Sequence, residues 1–263
     1  MEYDPLKNKL ARMITLFPSL RLLMYRMMDT MLLRQRYVCR EISRFYRPQE
    51  SFSFYDAGAG FCQYSWFILN NWKNAKVFAT DLKTDYLADF ASFVNGFYPN
   101  RFSYKSADLS LFAPERRYDL CIAIDIMEHI EDDVSTLNNF HAALNPEGLL
   151  IISTPSDTDE AAKFTAEHVR PGYAKADLEE KLHKAGFEIV KSIYTYGKFG
   201  SLAWKLMIKY PLQLNKHKLM LILLPYYLVL YPIAELFMQI DVRMNNKSGT
   251  GILVVAQKPR NSK

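Results

Sequence analysis

The sequence predicts an α/β fold, a Rossmann-like parallel sheet wound with helices on both faces. Three observations predict it. Short apolar runs alternate with stretches of helical spacing from Phe52 to Tyr196. An acidic, glycine-rich turn, Asp56-Ala57-Gly58-Ala59-Gly60, joins the first run to the helical stretch after it. Successive runs also end in carboxylates: Asp56, Asp81, Asp108 and Asp125. In a parallel sheet these line the carboxyl edge, where open α/β sheets bind their ligands.

Each element has its own signature. Residues 6–46 carry Leu10, Met13, Ile14, Leu22, Leu23 and Met27 at helical positions, interrupted at Pro18, with seven arginines from Arg12 to Arg44 on the polar side. Such a helical extension suits an anionic membrane surface, a cover over a substrate cleft, or a packed helix with a solvated basic face. Phe52–Tyr55 is a buried strand, and Phe61–Trp72 has helical spacing. Lys76–Asp81 is the second strand, and a helix through Tyr86, Phe90 and Val94 closes at Asn95-Gly96. Phe102–Asp108 alternates as a third strand, and Tyr118–Asp125 is a strongly apolar fourth. A helix from about Asp132 to Leu144 leads through Pro146-Glu147-Gly148 into a fifth strand, Leu149–Pro155. A short helix over Asp177–Ala185 precedes a sixth strand, Phe187–Tyr196, and Gly251–Gln257 is the last.

Composition narrows the class. The chain has 263 residues, 49% hydrophobic and 23% charged, enough to bury a core and too apolar for overall disorder. A net charge of +5 is modest for this length and does not indicate nucleic acid. Basic residues gather before residue 50 and from Lys191 to Lys218, whereas Asp81 to Glu147 is acidic. Cys39, Cys62 and Cys121 have no metal-ligand spacing and cannot all pair, which fits a reducing, cytoplasmic setting. No charged-then-apolar leader with a small-residue cleavage site opens the sequence, so no signal peptide is expected.

A carboxylate about 25 residues after a glycine turn is the grip on a ribose in dinucleotide-type folds, so a nucleoside-containing cofactor is the first expectation. Taken together, Asp56–Gly60, Asp81, Ala107-Asp108-Leu109, Asp125-Ile126-Met127-Glu128-His129-Ile130 and Leu144–Leu150 resemble the ordered motifs of class I S-adenosylmethionine-dependent methyltransferases, in their small-molecule branch. The resemblance covers residues 50–196 and the last strand. It implies a seven-stranded sheet with S-adenosylmethionine as cofactor. On it, Gly58 and Gly60 admit the methionine portion beside Gln63, and Asp56 engages the ammonium. Asp81, followed by Leu82, holds the ribose, Asp108 and Leu109 hold the adenine, and Asp125 closes the pocket at the fourth strand. Many members carry glycine where Cys62 stands, so that cysteine is expected to narrow the approach to the methionine end slightly. A nicotinamide-dependent oxidoreductase shares the glycine turn and the acid, but its fingerprint requires glycine at the position of Gln63. A cofactor-binding protein without turnover is the other alternative.

Methyl transfer from a sulfonium needs a base only when the acceptor must lose a proton. The candidates are His168, beside Glu167, and His129, beyond the fourth strand; the plainer role for either is a structural hydrogen bond. Arg170 and Tyr173 lie near His168 and are expected at the substrate, as are Tyr226 and Tyr227. The last two belong to residues 198–248, expected as a separate apolar cap or membrane-surface insertion. The methyltransferase domain would comprise 49–197 and 249–258, after an N-terminal extension over 1–48. Leu219–Ala234 holds no charged residue and follows Lys205, Lys209, Lys216 and Lys218. Sixteen residues are short for a bilayer of roughly 30 Å, Pro225 and Pro232 favour two short helices over one, and a single crossing would separate two strands of one sheet. The segment is therefore expected to cap the site or lie on the inner face of a membrane as a peripheral contact. The expected acceptor is a hydrophobic small molecule, lipid-like, aromatic or polyene, free or on a carrier, methylated on a hydroxyl. Relatives with a similar tail point to secondary-metabolite or envelope biosynthesis.

Overall fold

The computed structural model describes residues 18–158, 169–216 and 220–260. Seven strands form one sheet in the order β3-β2-β1-β4-β5-β7-β6. They are β1 (Ser53–Ala57), β2 (Lys76–Asp81), β3 (Phe102–Ser106), β4 (Tyr118–Ile124), β5 (Leu144–Pro155), β6 (Glu188–Thr195) and β7 (Gly251–Gln257). β7 runs antiparallel to both β5 and β6, and the other pairings are parallel. Period-two alternation decides which core each strand residue joins. Phe54, Leu120, Ile122, Ile151, Leu253 and Val255 enter one apolar cluster, whereas Tyr55, Cys121, Leu150, Ile152 and Val254 enter the other.

Helices cover both faces. The first cluster takes α1 (Pro18–Met31), α2 (Leu33–Phe45), α3 (Gln63–Asn71) and α4 (Thr84–Asn95), and the second takes α5 (Asp133–Ala143) and α6 (Lys175–Lys184). α1 is described from Pro18 onward. The expected helical residues before it lie outside the described residues. Leu32, in an extended conformation, separates α1 from α2. Asp132 caps α5, its side chain accepting from the Ser135 N–H at 2.9 Å. β5 starts five residues before its expected beginning. The Pro146-Glu147-Gly148 turn persists inside it as an irregularity, with Glu147 at φ 66° and pairing that shifts between Tyr118 and Leu120.

The segment between β6 and β7 leaves and rejoins the sheet at the carboxyl edge. It comprises α7 (Lys198–Trp204), a π-helical turn (Lys205–Lys209), α8 (Tyr210–Lys216) and α9 (Met220–Arg243). The expectation of two short helices is corrected here, because α9 runs unbroken through Pro225 and Pro232. Both prolines are exposed, so the ring that crowds the preceding turn does so on the outer face. The inner face holds the line. The Tyr226 and Tyr227 hydroxyls donate to the Leu206 and Met207 carbonyls at 2.7 and 3.1 Å, and Ala234, Met238 and Asp241 are buried.

Candidate active site

The site is built where β1, β2 and β4 end. The Gly58 and Ala59 N–H groups donate to the Thr80 carbonyl at 2.8 and 2.9 Å, which folds the glycine turn over the end of β2. Gly58 has φ 77°, and a Cβ there would stand 2.8 Å from Ile126, so glycine lets the first turn lie against the turn after β4. Gly60, at φ 51°, would point a Cβ into space where no described residue lies within 4 Å. Its N–H donates to Asp81 Oδ2 at 2.9 Å, and Asp81 Oδ1 accepts from the Lys83 N–H at 2.9 Å. The acid thus keeps lone pairs for hydroxyl donors while being fixed in place by backbone. Leu82 beside it is half exposed, an apolar surface for a flat ring.

Asp56 is 2% exposed and accepts from the Ser65 hydroxyl at 2.6 Å and the Ser65 N–H at 3.1 Å. Burial pushes its carboxyl up to about 7, against the pull of the Ser65 bonds. Asp108 is exposed, and its Oδ1 accepts from the N–H and hydroxyl of Ser110 at 2.9 and 2.7 Å, a turn-forming role. The Asn139 side-chain amide donates to the Leu109 and Ser110 carbonyls at 3.0 Å each and ties that turn to α5. Asp125, at φ 51°, ion-pairs with Arg34 of α2, and its Oδ1 is buried without a partner among the described residues. Gln63 opens α3. Cys62 adopts φ 59°, the left-handed conformation that glycine reaches at no steric cost, and its side chain is fully buried in the first cluster. The expected narrowing of the approach is therefore corrected: the thiol points into the core.

A family model described as a methyltransferase domain matches residues 34–192. The chain belongs to that family. A search of curated proteins matched none. Among solved structures, a protein from Galdieria sulphuraria described as a sarcosine dimethylglycine methyltransferase aligns at TM-score 0.62 and 13% identity, covering 86% of this chain and 85% of that one. The N-methyltransferase NodS from Bradyrhizobium japonicum, solved with S-adenosyl-l-homocysteine, aligns at TM-score 0.55 and 12% identity over 88% and 90%. The [4+2]-cyclase SpnF aligns at 0.57 and 13% over 85% and 80%. At these identities the likeness is one of fold, and SpnF is named for a reaction other than methyl transfer.

This methyltransferase uses S-adenosylmethionine, and its residues fit that molecule. Open space beside Gly60, the orphaned Asp125 Oδ1, the exposed face of Leu82 and the buried Asp56 carboxyl line one sheet edge. Sequence reasoning did not find Arg34, Ser65 or Asn139. Arg34 and Asn139 lie far in sequence from the residues they hold, while Ser65, on the first turn of α3, could have been seen as the partner of an acid nine residues earlier.

The acceptor side divides differently. His168 and Glu167 lie outside the described residues. His129 ends a short 3-10 turn, Met127–His129, whose neighbour Glu128 accepts from the Val169 N–H at 3.0 Å. The chain just after His168 is thereby fastened to the turn that carries His129. Arg170 and Tyr173 are expected at the substrate and are found in a network between elements. Arg170 donates to the Met127 and Glu131 carbonyls at 2.9 and 3.0 Å, and the Tyr173 hydroxyl, on a ring 2% exposed, donates to Asp133 at 2.8 Å. Burial pushes the Asp133 carboxyl up, but bonds from Lys181 and Tyr173 and the Arg170 charge outweigh it and hold the group below the usual range. The hydroxyls of Tyr226 and Tyr227 are likewise occupied, in fastening α9. Their polar groups serve packing because each would otherwise be buried or half-buried without a partner.

Proposed function

We propose that this enzyme methylates a hydrophobic small molecule on a hydroxyl oxygen. The observation that carries this reading is the Arg34–Asp125 pair at the end of β4. A cationic amine would seek a carboxylate there, and Asp125 is already neutralised by a guanidinium from the N-terminal helices, so an uncharged acceptor suits the edge better. The surroundings favour an apolar one. α2 meets the segment between β6 and β7 beside this edge through the Tyr196 hydroxyl, which accepts from the Arg34 N–H at 3.1 Å, and Met, Leu, Phe and Tyr side chains dominate that segment.

Bound S-adenosylmethionine supplies the methyl group on its sulfonium. The chain's own part is to fix the acceptor in line and to take a proton, with His168 as the acceptor of that proton and Glu167 as its orienting partner, or His129 in its place. A hydroxyl is a poor nucleophile until that proton has a destination, whereas a neutral amine needs none before attack. The test is transfer of a labelled methyl group to a panel of apolar phenols, long-chain alcohols and matched amines. Label on the oxygen acceptors is expected; label on the amines alone overturns the reading.

A further inference from the structure

Among the described residues, none covers the outer face of α9. Ile222, Leu224, Leu228, Val229, Ile233 and Leu236 are between 43% and 71% exposed and fall on one side of the helix. Ile222–Arg243 is long and apolar enough to cross a membrane, and only 11% of its most apolar window is buried. An exposed apolar stripe of this size on one element marks an interaction surface.

Charge says what covers it. Exposed Lys205 and Lys209 precede the stripe, and exposed Arg243 ends it beside exposed Arg40. Arg36, Arg40, Arg243, Met238, Gln239 and Val242 line a cleft of about 420 Å³ at that end. The acids on α9 are Glu235, which Arg36 already holds through two hydrogen bonds of 2.7 and 2.6 Å, and Asp241, which is buried. Both ends of the stripe are therefore basic. A second copy laid on it in either direction would bring like charges together, whereas an anionic lipid surface would complement both ends at once.

The helix cannot leave the domain to span a bilayer without loss. Its buried Asp241 accepts from the Tyr37 hydroxyl at 2.8 Å and the Gly200 N–H at 2.9 Å, and Glu235 would surrender Arg36. Separation would carry a bare carboxylate into hydrocarbon.

We propose that α9 is a monotopic membrane anchor: it lies in the plane of an anionic leaflet, its outer face in the acyl boundary, and its flanking Lys205, Lys209, Arg40 and Arg243 among the headgroups. This stands whether or not the acceptor assigned above is correct. It gives the enzyme direct access to lipid-soluble molecules in that leaflet.

Flotation of the full chain with vesicles of phosphatidylcholine alone, or with phosphatidylglycerol added, tests it. Binding to the anionic vesicles that salt weakens is expected. Each basic residue exchanged for Gln, Arg243→Gln or Lys209→Gln, should weaken binding roughly fivefold. Leu228→Glu should abolish it, while thermal stabilisation by S-adenosylhomocysteine shows that the variant is folded. Equal behaviour on the two vesicle types, or retained binding by folded Leu228→Glu, overturns the proposal. So does a dimer in solution that Leu228→Glu dissociates, since the face then belongs to a second copy. Extraction that needs detergent at every salt, with protease reaching the two flanks from opposite sides, overturns it in favour of a span.

Discussion

Asp56 shows how one residue can link fold, pH and cofactor. Its carboxyl is raised to about 7 by burial, so the folded chain retains up to that pH a proton that the unfolded chain gives up near pH 4. The stabilising contribution of that proton is complete below pH 4 and is lost as pH rises through about 7. A cationic ammonium beside the group selects its ionised form, so the dependence of binding has the opposite sign. Calorimetric titration with S-adenosylhomocysteine between pH 5.5 and 8 is expected to show affinity rising with pH and levelling off above about 7. Asp56→Asn should bind more weakly and lose that slope. His168 is tested by kinetics. His168→Ala is expected to lower turnover by about 10²–10⁴ with cofactor affinity nearly unchanged, as for a general base. An unaltered rate between pH 6 and 9 removes it from the mechanism and turns attention to His129→Ala.

At the scale of elements, the N-terminal helices and the segment before β7 are held to each other as well as to the sheet. The Tyr37 hydroxyl on α2 reaches the buried Asp241 of α9, and Gly200 at the start of α7 shares that carboxylate. Tyr37→Phe would leave one buried carboxylate oxygen without a donor, which costs about 1–3 kcal/mol. A lower thermal midpoint is the expected result. Faster hydrogen exchange should be confined to α2, α7 and α9, with β1–β4 unchanged. Exchange that rises evenly over the whole chain would show that the contact supports the core in general. α9 also shows why its two prolines misled. A proline's local cost of a few kcal/mol is set against an inner face with two tyrosine hydroxyls and a buried Ala234, Met238 and Asp241. Tertiary packing outweighs it.

For the molecule as a whole, cofactor and fold should report on each other. The glycine turn, the β2 acid and the turn after β4 come from separate parts of the chain, so a ligand bridging them binds only the folded state. At a concentration 100 times its dissociation constant, S-adenosylhomocysteine should stabilise the chain by about 2.7 kcal/mol. For a protein of this size that is a rise of roughly 5–10 °C in midpoint. NAD should give none, and Asp81→Ala should need roughly ten times more ligand or above for the same shift, since it deletes a charged acceptor. A shift with NAD would return the nicotinamide alternative.

The sequence alone determined the strand order along the chain and the acidic ends of the strands. Both depend on short-range properties, period-two apolar alternation and a turn that only glycine enters freely, and these are written within a dozen consecutive residues. It also determined the class of cofactor, because the residues meeting it follow directly on strands that a parallel sheet must align. The partners of those residues were decided by the tertiary structure. Arg34 meets Asp125 across about ninety residues, Tyr37 meets Asp241 across about two hundred, and Arg170 and Tyr173 both meet Asp133. No periodicity encodes such pairs; they follow from which faces the sheet and helices bring together. The outer face of α9 follows the same rule. Its apolar content is visible in the sequence, but which side stays uncovered depends on α7, the π-helical turn and α2 taking the other.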